Sequence, residues 1–351
     1  LPFQLSARIA IAVRSYNMLS RVANSIYWIG RYIERAENLA RFIDVTLNLL
    51  LDDPDDLVPQ WEPLVRTTGD DAFFRERYGP ATRDNVICFL TFDVEYANSI
   101  LSVLASAREN ARTVREAIPS ESWEQLNEFY LFVRNASNGD DAVNTPSEFF
   151  AEVKRQSHLF SGVTDATMSH GVGWHFLNLA RLLERADKTS RILDVKYFTL
   201  LPNIQDVGTT TDYLQWSAVL RSVSGFEMYR KLHHAITIKR VVEFLILNRE
   251  FPRSIQYCVA NAGRSLHGIT GTAEGSFRND PEQQLGRLNS ELAYRDVESI
   301  LEQGMHEFID ALQRQLNQLD IALAETFFGI KRSEPAPLER QSGTQSQSMS
   351  R

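Results

Sequence analysis

Two stretches of this chain are written in one pattern, and the pattern is helical. Residues 30–45 read GRYIERAENLARFIDV and residues 180–195 read ARLLERADKTSRILDV, both with R-x-x-E-R-A, a further Arg and a closing Asp-Val, 150 positions apart. Around the first copy, Ile26, Ile29, Ile33, Ala36, Ala40, Ile43, Leu47 and Leu50 recur at gaps of three and four. That spacing predicts a long amphipathic helix over residues 24–51, with small alanines that let a neighbouring helix approach closely. DDPDD at 52–56 stops it, because Pro and clustered Asp favour a turn. The second copy repeats the stripe with Phe176, Leu179, Leu183, Ala186, Ser190, Leu193, Tyr197 and Leu200, then stops at LPN.

The repetition extends further. EYANSILSVLASARENA from Glu95 lies on EFPRSIQYCVANAGRSL from Glu250 at an offset of 155, with Glu, Ser-Ile and Ala in register. The expected architecture is therefore all-α, a long-helix bundle built from a tandem-duplicated helical unit. Its first repeat unit covers 18–160 and its second, packed on the first, 161–328. Residues 1–17 read as an N-terminal extension ahead of a natural start at Met18. The Pro, Ser and Gln-rich residues 329–351 read as a disordered tail. Further helices are expected over 84–117, broken or bent near Phe92, and over 122–135, 147–160, 211–232 and 285–327. Period-two alternation is almost absent, and the short runs VICFLTF and RVVEFLIL sit in helical surroundings.

Composition narrows the function classes. A net charge of -8 argues against a general nucleic-acid surface, which needs many Lys and Arg against phosphates. The apolar run within residues 1–17 is too short and interrupted for a membrane span or a signal peptide. Cys88 and Cys258 lack C-x-x-C spacing, so they read as buried free thiols, which suits the cytoplasm. His170 and His175, and the adjacent His233 and His234, do not match H-E-x-x-H, and no metal site or cofactor is expected.

The repeated pattern has two readings. At 100° per residue, Arg31, Glu34, Arg35 and Asn38 share the face opposite the apolar stripe, with Arg41 beside them. As solvated i,i+3 and i,i+4 pairs, Arg31–Glu34 and Glu37–Arg41 would each contribute only about 0.2–0.5 kcal/mol. In the first reading both faces are packed, and Glu34 and Glu184 are buried acceptors clamped by Arg31, Arg35, Arg181 and Arg185 through planar multi-donor guanidiniums. In the second, the two faces, including Arg191, meet at a cleft that holds a carboxylate or phosphate ligand. An acid/base role for Glu34 or Glu184 needs a raised pKa, and surrounding arginines push the other way. Secondary positions are Arg108 and Arg112, four apart in ARENAR and read as a charged surface stripe, and Arg253 in FPRS, read as an outward donor beside a helix start at Pro252. GRSLHGITGTAEG lacks the Lys of a phosphate loop and reads as a helix end and flexible loop.

Three segments carry a family resemblance: MLSRVANSIYWIGRYIERAENLARFIDV at 18–45, ARENAR with SWEQLN at 107–127, and GWHFLNLARLLERADKTSRILDV at 173–195. Over residues 18–328 the chain resembles the bacterial alpha-E family, a predicted helical domain with a conserved E-R motif. The resemblance puts that motif at Glu34-Arg35 and Glu184-Arg185. Where the family usually has an acidic residue before Gly-Trp, this chain has SHGVGW. The resemblance also implies a partner, a circularly permuted ATP-grasp protein similar to peptide or amide ligases, and often a transglutaminase-like cysteine protease nearby. The expected role is then a helical accessory or binding module for a peptide or other anionic ligand, without nucleic acid or membrane. Two alternatives remain: an enzyme using Glu34 or Glu184 as acid-base, and a purely architectural protein.

Overall fold

The computed structural model describes residues 18–52, 61–137, 144–199 and 210–329. Among the described residues every regular element is helical, and the fold is an all-α, long-helix bundle. The proposed extension at 1–17 and the tail beyond Gly329 lie outside them, as do the side chains of Leu50, Tyr197 and Leu200.

The two patterned stretches form its longest helices, α1 (Ser20–Asp52) and α8 (Val172–Thr199). Between them come α2 (Glu62–Thr68), α3 (Asp71–Tyr78), α4 (Arg83–Thr91), α5 (Ile100–Thr113), α6 (Ser120–Ala136) and α7 (Pro146–Thr167). After α8 follow α9 (Thr210–Ser222), α10 (Phe226–Leu232), α11 (Ile238–Ile246), α12 (Ile255–Thr270), α13 (Asp280–Ala293), α14 (Val297–Gln303) and α15 (Met305–Leu323), the last ending in a π-helical turn, Ala324–Phe328. The run VICFLTF lies in α4 and its C-cap Phe92, and RVVEFLIL lies in α11 and its C-cap Leu247.

Helix starts recur at the offset of 155. Thr82 caps α4 by accepting from the Asn85 amide, and Thr237 caps α11 from Arg240; Ser99 and Ser254 cap α5 and α12 in the same way. Such hydroxyl caps satisfy backbone donors that the first helical turn leaves open. The stacked rings Phe89–Tyr96 and Phe244–Phe251 also stand 155 apart.

α1 packs along α8. α5 and α7 flank α1, and α12 and α15 flank α8. The crossing is tight where Gly30 meets Ala180: a Cβ on Gly30 would sit 2.5 Å from the Leu177 carbonyl oxygen. Only glycine permits that approach. Both apolar stripes are buried wherever their side chains are described, and one cluster of buried apolar side chains runs from Ala23 to Phe327.

The face opposite the α1 stripe is also buried, since Arg31, Glu34, Glu37, Asn38 and Arg41 are all inside. A helix flanked on every side must bury its polar face, and that face must then find internal partners. The segment expected as one helix over 211–232 breaks into α9 and α10 at Ser224, which takes φ 51, and Gly225. The final helix is three, interrupted at Tyr294 and at Gly304, whose φ of 96 suits glycine. Pro252 precedes α12, whose start is capped by Ser254. Gly263 and Gly268 lie within α12, and the helix ends at Gly271 in the left-handed conformation. Cys258 is buried but Cys88 is only half-buried, and both thiols are free.

Candidate functional site

The α1–α8 crossing places the two E-R pairs against each other reciprocally. Arg35 grips Glu184 with Nε at 2.8 Å and Nη2 at 3.1 Å, while Arg185 grips Glu34 with Nε at 2.8 Å and Nη2 at 2.7 Å. Each is a two-pronged guanidinium–carboxylate pair, a geometry that lysine cannot reproduce. Glu34 is 1% exposed and Glu184 0%. The Arg31–Glu34 pair expected within one helix does not form; Arg31 reaches across to Glu184 at 2.5 Å and to Asp320 of α15 at 2.7 Å. Tyr27 completes that corner by donating to Asp320 at 2.6 Å.

Around Glu34 the network is closed. Arg253, expected to point outward, is buried and donates to Glu34 at 3.2 Å, to Asn38 at 3.3 Å and to Glu37. Glu37 also receives Arg41 at 2.7 Å, His158 at 2.9 Å and the Ser157 hydroxyl at 3.1 Å. Asn38 donates to Glu34 at 3.0 Å, and Arg41 reaches the Ser224 hydroxyl at 2.7 Å.

Around Glu184 the arrangement is parallel but open. Asp187 and Arg191 pair at 2.9 Å as Glu37 and Arg41 do, and Lys188 stands in the place of Asn38, 3.0 Å from Asp187 and 3.5 Å from Glu184. Position 98, equivalent to 253, is an asparagine whose oxygen accepts from Arg35 at 2.7 Å. Here a pocket of about 210 Å³ opens, lined by the charged side chains of Arg31, Arg35, Asp187, Lys188, Arg191 and Asp320 together with apolar ones such as Leu39, Phe42, Leu64 and Leu90.

Burial pushes the carboxyl groups of Glu34, Glu37, Glu184 and Asp187 up, and the neighbouring cations overcome it. Glu34 is lowered by Arg185 and Arg253, Glu37 well lowered by Arg253 and His158, Glu184 well lowered by Arg35, Arg31 and Lys188, and Asp187 lowered by Lys188 and Arg191. All four stay ionised at neutral pH. Burial brings Arg253 down to about 10, with Glu37 holding it up and Arg185 and Arg41 repelling it. Arg31 and Arg35 are raised, burial opposing and the carboxylates prevailing.

Arg181, expected in the same clamp, bonds only Asn178, at 2.6 Å, and its buried Nε has no partner. Burial and the nearby Arg185 lower its pKa. Its counterpart Arg31 has Asp320; the residue 155 positions earlier, Asp165, lies instead 3.6 Å from His170. Arg108 and Arg112 stand outside the network. Arg108 donates to Asn127 at 2.7 Å over the Trp123 and Tyr130 rings, and Arg112 pairs with the exposed Glu109. His170 stacks on Trp174. Among the described residues no three His, Cys, Asp or Glu side chains come together as a metal-holding group, and no helix is long and apolar enough to cross a membrane.

Sequence reasoning missed Tyr27, Asn98, His158, Asp187, Lys188 and Asp320 as members of the site. Asp187 was within reach, since shifting Glu37 by the repeat offset lands on another acid. Asp320 was not, because a lone acid on a distant helix carries no mark of its partner.

A bundle built on two crossed helices whose E-R pairs clasp each other defines a class of helical proteins with an ER motif. The chain belongs to the Alpha-E family, described as a predicted alpha-helical domain with a conserved ER motif, whose model matches residues 18–328. An uncharacterized protein of Mycobacterium bovis is 22% identical over 318 residues, covering 85% of this chain and 34% of its own length. Uncharacterized proteins of two Mycobacterium tuberculosis strains match with the same 22% identity and coverage. This chain thus spans about a third of the length of the curated relatives it matches. No solved structure matches it.

Proposed function

We propose that this chain is the helical accessory and ligand-holding module of a peptide-modification system, acting with an ATP-grasp peptide or amide ligase. The observation that carries the reading is the pocket beside Glu184, whose wall of Arg31, Arg35, Lys188 and Arg191 suits an anionic group such as a carboxylate. The ligase supplies ATP chemistry, and a transglutaminase-like protease is a further partner of the system. Relatives roughly three times as long as the matched region support joint action with other segments of one polypeptide. The recurring caps and helix bounds support a tandem duplication of one helical unit, with halves at 18–160 and 161–328. Two free thiols suit a cytoplasmic setting.

The test is co-purification with the neighbouring ATP-grasp protein, followed by its ligase assay with this chain and with Arg35→Ala. A stable complex and ligase activity that falls with the variant are expected. No complex and no effect on the ligase would overturn the reading.

A second reading is an acid–base enzyme for amide or peptide chemistry using Glu34 or Glu184. In its favour, both ER-motif glutamates are fully buried within one strongly perturbed charge network, an environment shared with many catalytic carboxylates. Against it, arginine holds both ionised and neither reaches the solvent. It requires the isolated chain to turn over an amide substrate and Glu34→Gln with Glu184→Gln to abolish turnover while the fold persists.

A further inference from the structure

A second cavity, of about 210 Å³, lies between α12, α13 and the loop that joins them, and none of its lining residues belongs to the E-R networks. Gly263 and Gly286 line it from the two helices, and a Cβ on either would meet nothing within 4 Å. Glycine inside a helix weakens it, and no close packing requires one at these positions. Glu282 also lines the cavity, with its side chain 0% exposed. Burial pushes its carboxyl up, but the Thr270 hydroxyl and the Arg278 backbone amide, at 2.6 Å, donate to it and bring it below the usual carboxylate range. Among the described residues no Arg or Lys side chain pairs with this carboxylate; the His267 ring stands 4.0 Å away, its buried Nδ1 without a hydrogen-bond partner. Buried charges are ordinarily paired, so Glu282 makes the cavity a favourable place for a positive charge.

The matching place in the first half shows which cation fits. Gly263 stands 155 positions after Arg108, the offset at which α12 follows α5. Buried Leu285, Leu288 and Leu292 of α13 stand 159 after buried Leu126, Phe129 and Val133 of α6, the loop before α13 being the longer. At that offset Asn127 corresponds to Gly286, Trp123 to Glu282 and Tyr130 to Asn289. In the first half Arg108 donates to Asn127 at 2.7 Å and lies over the Trp123 and Tyr130 rings. In the second, glycine replaces both hydrogen-bonding side chains, a carboxylate and an amide replace the rings, and all four residues line the cavity.

We propose that this cavity binds the side chain of an arginine residue presented by a peptide. The stem runs between Gly263 and Gly286, and the guanidinium is paired in charge with buried Glu282 while it donates to Glu274 and Asn289. A planar fork of five donors serves several acceptors at once, as a compact ammonium does not. Arg264, also on the lining, is exposed and bonded to Asn261 at 3.1 Å, so two lining carboxylates remain for the incoming cation. At about 210 Å³ the cavity is smaller than the about 300–1,000 Å³ of pockets that enclose whole ligands, and suits one side chain. Exposed Phe277, two residues beyond lining Gly275, offers a surface to the rest of the peptide. This rests on the duplication read above, but on neither the pocket beside Glu184 nor the ligase partner.

The experiment is calorimetric titration of the full chain with three capped tripeptides, in which arginine, lysine or citrulline stands between two alanines. Citrulline has the shape of arginine without its charge, and lysine has the charge without the fork. Saturable binding of the arginine peptide is expected, with each of the others about tenfold or more weaker, the loss that follows from one charged hydrogen-bonding group left unmatched. Gly263→Arg supplies an internal arginine where Arg108 stands in the first half, and should abolish binding while the melting temperature holds or rises. Equal binding of the citrulline or the lysine peptide, no binding of the arginine peptide, or binding that survives Gly263→Arg would each overturn the proposal and leave the duplication standing. A melting temperature lowered by Gly263→Arg would overturn the match between the two places and the proposal with it.

Discussion

The network around Glu34 and the network around Glu184 are built from matching positions, yet one is filled and the other is open. Glu37 and Asp187, Asn38 and Lys188, and Arg41 and Arg191 occupy equivalent places on α1 and α8. The decisive difference lies off those helices. Position 253 is an arginine buried between Glu34 and Glu37, and position 98 is an asparagine that accepts from Arg35 and leaves a pocket beside it. Glu37 has donors on both oxygens, whereas Asp187 has them on one. The same motif can thus close into structure or stand around a cavity, according to one side chain supplied by a flanking loop.

The sharpest break of this comparison is to remove each glutamate. Glu34→Ala strands Arg185 and Arg253 in a closed interior and should cost about 3–5 kcal/mol in denaturant unfolding. Glu184→Ala should cost less, about 1–3 kcal/mol, because Arg31 keeps Asp320, Arg35 keeps Asn98 and water can enter the pocket. Equal losses would deny that one side is closed and the other open.

Exchanging the flanking side chains comes next. Arg253→Asn should destabilise by about 2–3 kcal/mol, since Glu34 and Glu37 retain other donors but lose a shared one. Asn98→Arg should bring a guanidinium to the pocket and abolish ligand binding there, with stability changed by about 1 kcal/mol, read by the same unfolding curves and by titration.

Acid sharpens the comparison further. Glu34, Glu37, Glu184 and Asp187 all have folded pKa values below their unfolded ones, so the unfolded chain binds more protons in the window between them. Their contribution is fully present above the unfolded values, about 4. It is lost as pH falls through the depressed folded values. Unfolding free energy should therefore drop below about pH 4, and Glu184→Gln should make that drop shallower.

The smallest effect is expected at the edge of the closed side. The His158 side chain is 58% exposed, so His158→Ala should cost less than about 1 kcal/mol despite its bond to Glu37. A larger loss in thermal melts would show that this edge bears on the closed network more than its exposure implies.

Much of the framework was legible in the sequence, because helix formation depends on neighbours three and four positions away. The stripe through Ile26, Ile33 and Ile43, and its copy through Leu179, Leu183 and Leu193, are both buried. Breaks were harder to read. Ser224-Gly225 and Gly304 divide segments whose apolar periodicity continues across them, since the turn is set by backbone angles rather than by pattern. Glu37–Arg41 was legible as an i,i+4 pair and forms as such, but its burial was not.

Sequence alone determined that α1 and α8 exist, that they carry the same ER pattern, and that small alanines such as Ala36 and Ala40 would let a neighbouring helix come close. Periodicity and residue size are local properties, and the chain states them directly. Only the tertiary structure decided that Glu34 pairs with Arg185 and Glu184 with Arg35 across the crossing, that Arg253 turns inward, and that Asn98 leaves a pocket. A buried charge takes whichever partner packing brings within reach, and packing joins residues more than 150 positions apart.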